Sequence, residues 1–211
     1  MFENEPLNVG ILIFDDVEVL DFCGPFEVFS VTRPTGASSQ GQDRESAKPF
    51  AVFTVAQKSA TVRARGGLRV EPHFTIENHP PIDILVVPGG MGTRREVDNP
   101  LVIDWIRRVA TETQLNTSVC TGAFLFGKAG LLEGHRATTH WLSLDRLEQT
   151  FPSVQVVRET RWVDEGPLIT SAGISAGIDM SLHVVERLLS REVAEQTARQ
   201  MEYVWNEGVF S

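Results

Sequence analysis

Cysteine is scarce: only Cys23 and Cys120 occur in the 211 residues. They allow one pairing at most, and in a reducing compartment each is a free thiol. No Cys/His cluster has the spacing of metal ligands, so no metal is expected. Positive charge is also short, since 19 Lys and Arg against 28 Asp and Glu leave a formal net charge of -9. A general nucleic-acid surface needs clustered Lys and Arg, so no nucleic-acid partner is expected. No apolar run is long enough to cross a bilayer, and residues 1–6 lack the basic-then-apolar pattern of a signal peptide. The expectation is therefore a cytoplasmic protein without membrane contact. The spaced glycines of a dinucleotide-binding turn and the lysine of a P-loop are missing, which argues against a phosphate cradle. Neither an internal repeat nor an interdomain linker is visible. What remains has the length and patterning of one α/β domain spanning residues 1–211.

Apolar runs rich in β-branched residues predict buried strands at Val9–Phe14, Phe50–Ala56 and Ile84–Val87. Thr61–Val70, interrupted by Gly66 and Gly67, reads as a hairpin, and Val154–Val157, Thr160–Val163 and Leu168–Ser171 read as further strands. Helical patterns follow Val17, with a start or restart near Gly24 imposed by Pro25, and span Asn99–Thr113, where Leu101, Ile103, Trp105, Ile106 and Val109 supply the apolar face. Others run from Ala123 through Leu131 and Leu132, through Met180–Leu189, and from Arg191 to about Trp205 with Ser190 as cap. Arg33–Lys48 reads as a surface loop. Alternating strands and helices predict a doubly wound, mostly parallel sheet sandwiched by helices.

The stretch Asn116–Ala123 joins a β-type run to an apolar helix at Cys120. A nucleophile elbow needs small residues two places either side of its nucleophile, and Ser118 and Gly122 supply them. The helix start beside such a thiol carries free N–H groups that favour thiolate and could receive an oxyanion. The same spacing also fits a buried structural cysteine. Asp21 lies just past the first strand, at the sheet edge where open α/β folds bind ligands, and is either a site acid or a helix cap. Gly89 and Gly90, after Ile84–Val87, either let backbone approach a ligand closely or let the chain turn. His140 is the histidine whose neighbourhood invites a place near the thiol, or one satisfied by backbone groups.

Leu20–Pro25, Val87–Gly90, Ser118–Gly122 and Arg136–Trp141, in that order, resemble the DJ-1/PfpI superfamily, and within it the isonitrile hydratases. The resemblance runs from about Val9 to Val204 and implies a flavodoxin-like sandwich, a homodimer, no cofactor and a small-molecule substrate. It implies Cys120 as nucleophile, Asp21 as the acid beside it, and Gly90 and Thr121 as donors of backbone N–H groups, with the Thr121 hydroxyl in addition. The implied reaction is hydration of an isonitrile to an N-substituted formamide. Peptidase-like members carry histidine after the cysteine where this chain has Thr121, which argues against proteolysis. Cys23 stands where those hydratases carry threonine, so the pocket beside Asp21 is expected to differ. The same motifs resemble the ligand-sensing domain of AraC-type regulators, although the α/β pattern runs to the end of the sequence and leaves no expected room for a DNA-reading helix-turn-helix. An aldehyde-directed or redox role, as proposed for other superfamily members, is the remaining alternative.

Overall fold

A computed structural model describes residues 5–34 and 48–206; most of the Arg33–Lys48 stretch lies outside the described residues. Four strands make the centre of the molecule: β1 (Leu7–Leu12), β2 (Phe50–Ala56), β6 (Ile84–Val87) and β7 (Leu115–Val119). All of β6 and β7 is buried, because helices cover both faces of a parallel sheet. β7 is polar at Asn116, Thr117 and Ser118 and is still buried; Thr117 Oγ1 donates to the Leu85 carbonyl at 2.9 Å and so brings its hydroxyl inside at little cost. With β5 (Phe74–Thr75), β10 (Trp162–Asp164) and β11 (Leu168–Ser171), these form a seven-stranded sheet in the order β10-β11-β7-β6-β1-β2-β5. Every pairing is parallel except β10 with β11, which turn back on each other through Glu165 and Gly166. The chain leaves β1 for β2 on one side and later returns to β6 on the other. Brackets of this kind open a crevice at the carboxyl ends of β1 and β6, the place where doubly wound sheets bind ligands.

β3 (Val62–Arg63) and β4 (Arg69–Val70) form the expected antiparallel hairpin, with Gly66 and Gly67 at φ of 76° and 88°. β8 (Arg136–Ala137) and β9 (Gln155–Val156) make a separate parallel pair.

The helices depart from the sequence expectations in several places. α1 (Val19–Val31) runs unbroken through Pro25, with no restart at Gly24. Burial of Phe22, Val28 and Phe29 outweighs the one hydrogen bond that proline removes. Gly24 is needed for close packing instead: a Cβ there would stand 2.9 Å from Ile178 on α6 (Ala176–Leu188). α2 (Thr93–Glu96) is a single turn that has no sequence period to announce it. α3 (Pro100–Val109) stops short of Thr113 and leaves Leu101 60% exposed, outside the apolar face assigned to it. α4 (Gly122–Ala129) ends at Gly130, whose φ of 84° closes the helix before Leu131 and Leu132. α5 (Leu144–Thr150) was not expected, and α7 (Arg191–Gln200), capped by the Ser190 hydroxyl, ends before Trp205. Among the described residues no helix is long and apolar enough to cross a membrane, and no group of three or more His, Cys, Asp or Glu forms a metal site.

Candidate functional site

Cys120 occupies the turn between β7 and α4 with φ of 56°, left-handed backbone that a non-glycine residue adopts only where its surroundings hold it. Three contacts do so. Its N–H points at the carbonyls of Ser171 and Ala172 at 3.1 and 3.3 Å, and Thr139 Oγ1 donates to its carbonyl at 2.7 Å. Gly122 lets the helix start against the sheet, since a Cβ there would lie 2.1 Å from the Val87 carbonyl oxygen. Neither backbone can yield without breaking the β6–β7 pairing. Gly122→Ala is expected to cost about 3 kcal/mol, as overpacking against rigid structure does, and to lower Tm by roughly 6–12 °C; thermal unfolding of the purified variant checks this.

Asp21 sits in the first turn of α1 and is fully buried. Its Oδ2 accepts the Gly89 N–H at 3.0 Å, while its Oδ1 has no hydrogen-bond partner among the described residues; the Cys120 thiol neighbours the carboxyl. Gly89 has no room for a side chain: a Cβ would lie 2.5 Å from the Thr121 N and 2.9 Å from Asp21 Oδ2. The N–H and the hydroxyl of Thr121 stand beside the sulfur and favour its ionised form; the hydroxyl also donates to the Gly90 carbonyl at 3.3 Å. Gly90, at φ of 127°, donates its N–H to Thr121 Oγ1 at 3.0 Å, so it acts on the sulfur through that hydroxyl. His140 reaches the same place by another route. A Cβ on Gly173 would meet both His140 Cδ2 at 2.5 Å and Cys120 Sγ at 3.0 Å, so this glycine lets ring and sulfur stand side by side. His140 Nδ1 accepts the Leu142 N–H at 3.3 Å, and the ring walls the pocket.

These groups open onto a cavity of about 470 Å³ lined by Glu18, Arg65, Arg94, Cys120, Thr121, His140 and others. Cys120 itself is 6% exposed. Burial pushes the thiol far up from its ordinary range, and the adjacent Asp21 charge adds to this, against the lowering by the Thr121 N–H. Burial likewise raises Asp21 from 3.8 to about 7, opposed by the Gly89 N–H and reinforced by the Glu18 charge. The helix-start N–H was expected to favour thiolate outright; desolvation and the neighbouring carboxylate outweigh it. As pH rises through about 7 the pair comes to hold one negative charge and one proton between its two groups. His140 is lowered by burial, and so is a neutral ring at neutral pH.

The profile of the DJ-1/PfpI family matches residues 8–187. The chain belongs to the DJ-1/PfpI family. This family member is 35% identical over 197 residues to an isonitrile hydratase of Pseudomonas putida, covering 93% of this chain and 78% of that one. It is 27% identical to the HTH-type transcriptional regulator GbdR of Pseudomonas aeruginosa over 94% of its own length, and spans about half (51%) of that regulator. Among solved structures, a ThiJ/PfpI family protein from Pseudomonas syringae superposes with a TM-score of 0.82 at 27% identity, over 96% of this chain and 77% of that one. DJ-1beta of Drosophila melanogaster superposes at 0.78 with 17% identity, over 95% and 100% of the two chains, and shares the fold.

All six residues singled out from the sequence, Asp21, Gly89, Gly90, Cys120, Thr121 and His140, meet at this one crevice. Sequence reading missed four that shape it. Thr93 Oγ1 donates to Thr121 Oγ1 at 3.1 Å from a helix too short to leave a pattern. Gly173 is legible only once its neighbours are known. Glu18 and Arg65, 47 positions apart, pair at 2.6 Å across the pocket rim. Cys23 is half-buried and its thiol is raised by burial, and it does not line the cavity.

Proposed function

We propose that this DJ-1/PfpI member hydrates an isonitrile to an N-substituted formamide, with Cys120 as nucleophile. The observation that carries this reading is a fully buried carboxyl, raised to about 7, placed against a cysteine thiol in an elbow. Such a pair can pass its single proton between sulfur and oxygen at neutral pH. Similarity to the hydratase of Pseudomonas putida supports the choice of substrate.

In the first step the thiolate adds to the terminal carbon of R–N≡C, forming the C–S bond, and Asp21 gives its proton to that carbon. The product is a thioimidate, R–N=CH–S–Cys. Asp21, now a carboxylate, takes a proton from a water whose oxygen adds to the same carbon, hands that proton to the imino nitrogen, and then takes the proton of the new hydroxyl as the carbonyl forms. The C–S bond then breaks, sulfur leaves with its electron pair, and R–NH–CHO departs. The balance is one isonitrile plus one water. Thr121 stabilises the sulfur anion at both ends of the cycle through its N–H and hydroxyl. The burial of the pair keeps bulk water away from the proton transfer.

Incubating the wild type, with Cys120 reduced, with n-butyl or phenyl isonitrile in H₂¹⁸O is expected to give the formamide with ¹⁸O in its carbonyl. No formamide from either compound overturns the assignment. A second reading, ligand sensing without turnover, is supported by similarity to the regulator GbdR over nearly all of this chain. Saturable binding of an isonitrile with no product formed is the result that favours it. Peroxide sensing fits the site less well, because a buried thiol held above its usual range is a poor target for oxidation.

A further inference from the structure

We propose that the Cys120 pocket takes a substrate whose substituent carries a carboxylate, held by Arg94 and Arg146 on the wall away from the reacting thiol. The reacting end of this substrate rests on the hydratase reading; the anionic end rests on the two arginines.

Four charged side chains line the cavity. Glu18 and Arg65 neutralise one another at 2.6 Å. Two guanidiniums remain, and among the described residues neither lies within ion-pair distance of a carboxylate, although the chain carries 28 acidic residues against 19 basic ones. Both are exposed and line the same wall, and the Arg94 charge, after burial, adds to what holds Arg146 below the ordinary arginine range. Two like charges that converge without a counterion repel each other, and an anion between them removes the repulsion.

The arrangement is held rather than incidental. The Arg146 guanidinium lies 4.1 Å over the Phe124 ring of α4, which fixes its plane. Arg94 follows Thr93, whose hydroxyl bonds Thr121, so its helix is tied to the reactive turn. A second hollow of about 300 Å³, lined by Thr93, Arg94, Val97, Phe124, Arg146 and Thr150, shares both arginines with the first. The cations therefore stand where the two spaces meet. An isonitrile carbon at Cys120 and a carboxylate at the arginines would be joined by a short carbon frame.

The test compares 4-isocyanobenzoate with its methyl ester, which keeps the reacting group and removes the charge. In the wild type kcat/KM for the acid is expected to exceed that for the ester by on the order of 10- to 100-fold, the worth of a charge-assisted hydrogen bond or two. In Arg94→Gln and Arg146→Gln that ratio should fall to within about threefold of one, while Arg146→Lys, which keeps the charge, should retain part of it. A wild-type ratio of one or less, or a ratio unmoved in both glutamine variants, overturns the proposal. If neither compound reacts, the hydratase reading has failed and the anionic subsite is read from alkylation of Cys120. The rate with iodoacetate relative to iodoacetamide, followed by mass spectrometry, should drop in Arg146→Gln for Cys120 and hold steady for Cys23. An unchanged ratio at Cys120 overturns the subsite as well.

Discussion

Cys120→Ala will produce no measurable formamide from any isonitrile that the wild type converts, a loss of at least about 10⁴-fold in kcat/KM. Removing a covalent nucleophile takes away the whole route and leaves only binding. The protein will still fold. The side chain removed is small, the backbone contacts to Ser171, Ala172 and Thr139 do not involve sulfur, and alanine tolerates the turn about as well as cysteine does. Thermal unfolding should therefore move by no more than about 1 kcal/mol in stability. Cys120→Ser separates nucleophilicity from volume, since serine keeps the shape while its hydroxyl is far less acidic than a thiol. Retained turnover in Cys120→Ala would mean that water attacks the isonitrile directly.

Asp21→Asn will cost roughly 10²- to 10⁴-fold in kcat at neutral pH, the range of general acid–base catalysis, and will change the pH profile in a way that a structural role would not. In the wild type, the form with one shared proton accumulates as pH rises through about 7, so kcat/KM should climb up to that pH and level off above it. With asparagine the thiol must ionise alone in a buried site, and the rising limb should move to higher pH. Stability responds in the opposite sense to activity. The carboxyl is at 3.8 when free and about 7 in the fold, so the native state binds the extra proton. The stabilisation it lends is complete below 3.8 and is lost as pH rises towards about 7. Across that window the wild type should lose on the order of 4 kcal/mol, whereas Asp21→Asn should lack this loss. Urea titrations at pH 4, 5.5 and 7.5 distinguish the two; parallel pH dependence in wild type and variant would remove Asp21 as the titrating group.

The parts of this molecule that were legible in its sequence are those with a local cause. β1, β2, β6 and β11 are apolar runs whose burial needs no knowledge of partners. The elbow was legible because Ser118 and Gly122 are small for a steric reason that acts over two residues, and Gly122 has a carbonyl 2.1 Å from where its Cβ would be. Elements of one or two turns, such as α2 and α5, are too short to show a period. Pro25 misled because the helix that runs through it is stabilised by packing against α6, a contact about 150 residues away in the chain. The ionisation of Cys120 was out of reach for the same reason. Its helix-start N–H is local, but the desolvation and the Asp21 carboxyl that outweigh it are brought by the fold. Arg94 and Arg146 likewise give no local signal, being exposed arginines that α2 and α5 bring to one pocket wall.

The crevice is stitched from chain segments that are far apart in sequence: Gly89 bonds Asp21 across 68 positions, Gly90 bonds Thr121 across 31, and the Cys120 N–H is received by Ser171 on β11. Loop-closure entropy makes such parallel pairings late and slow to form. The reactive turn thus has no existence in a partly folded chain, because the strained backbone at Cys120 has nothing to hold it until β11 has docked on β7. A copy without that docking carries an unstrained thiol with no Asp21 carboxyl held beside it, so the chemistry proposed for Cys120 requires the completed sheet.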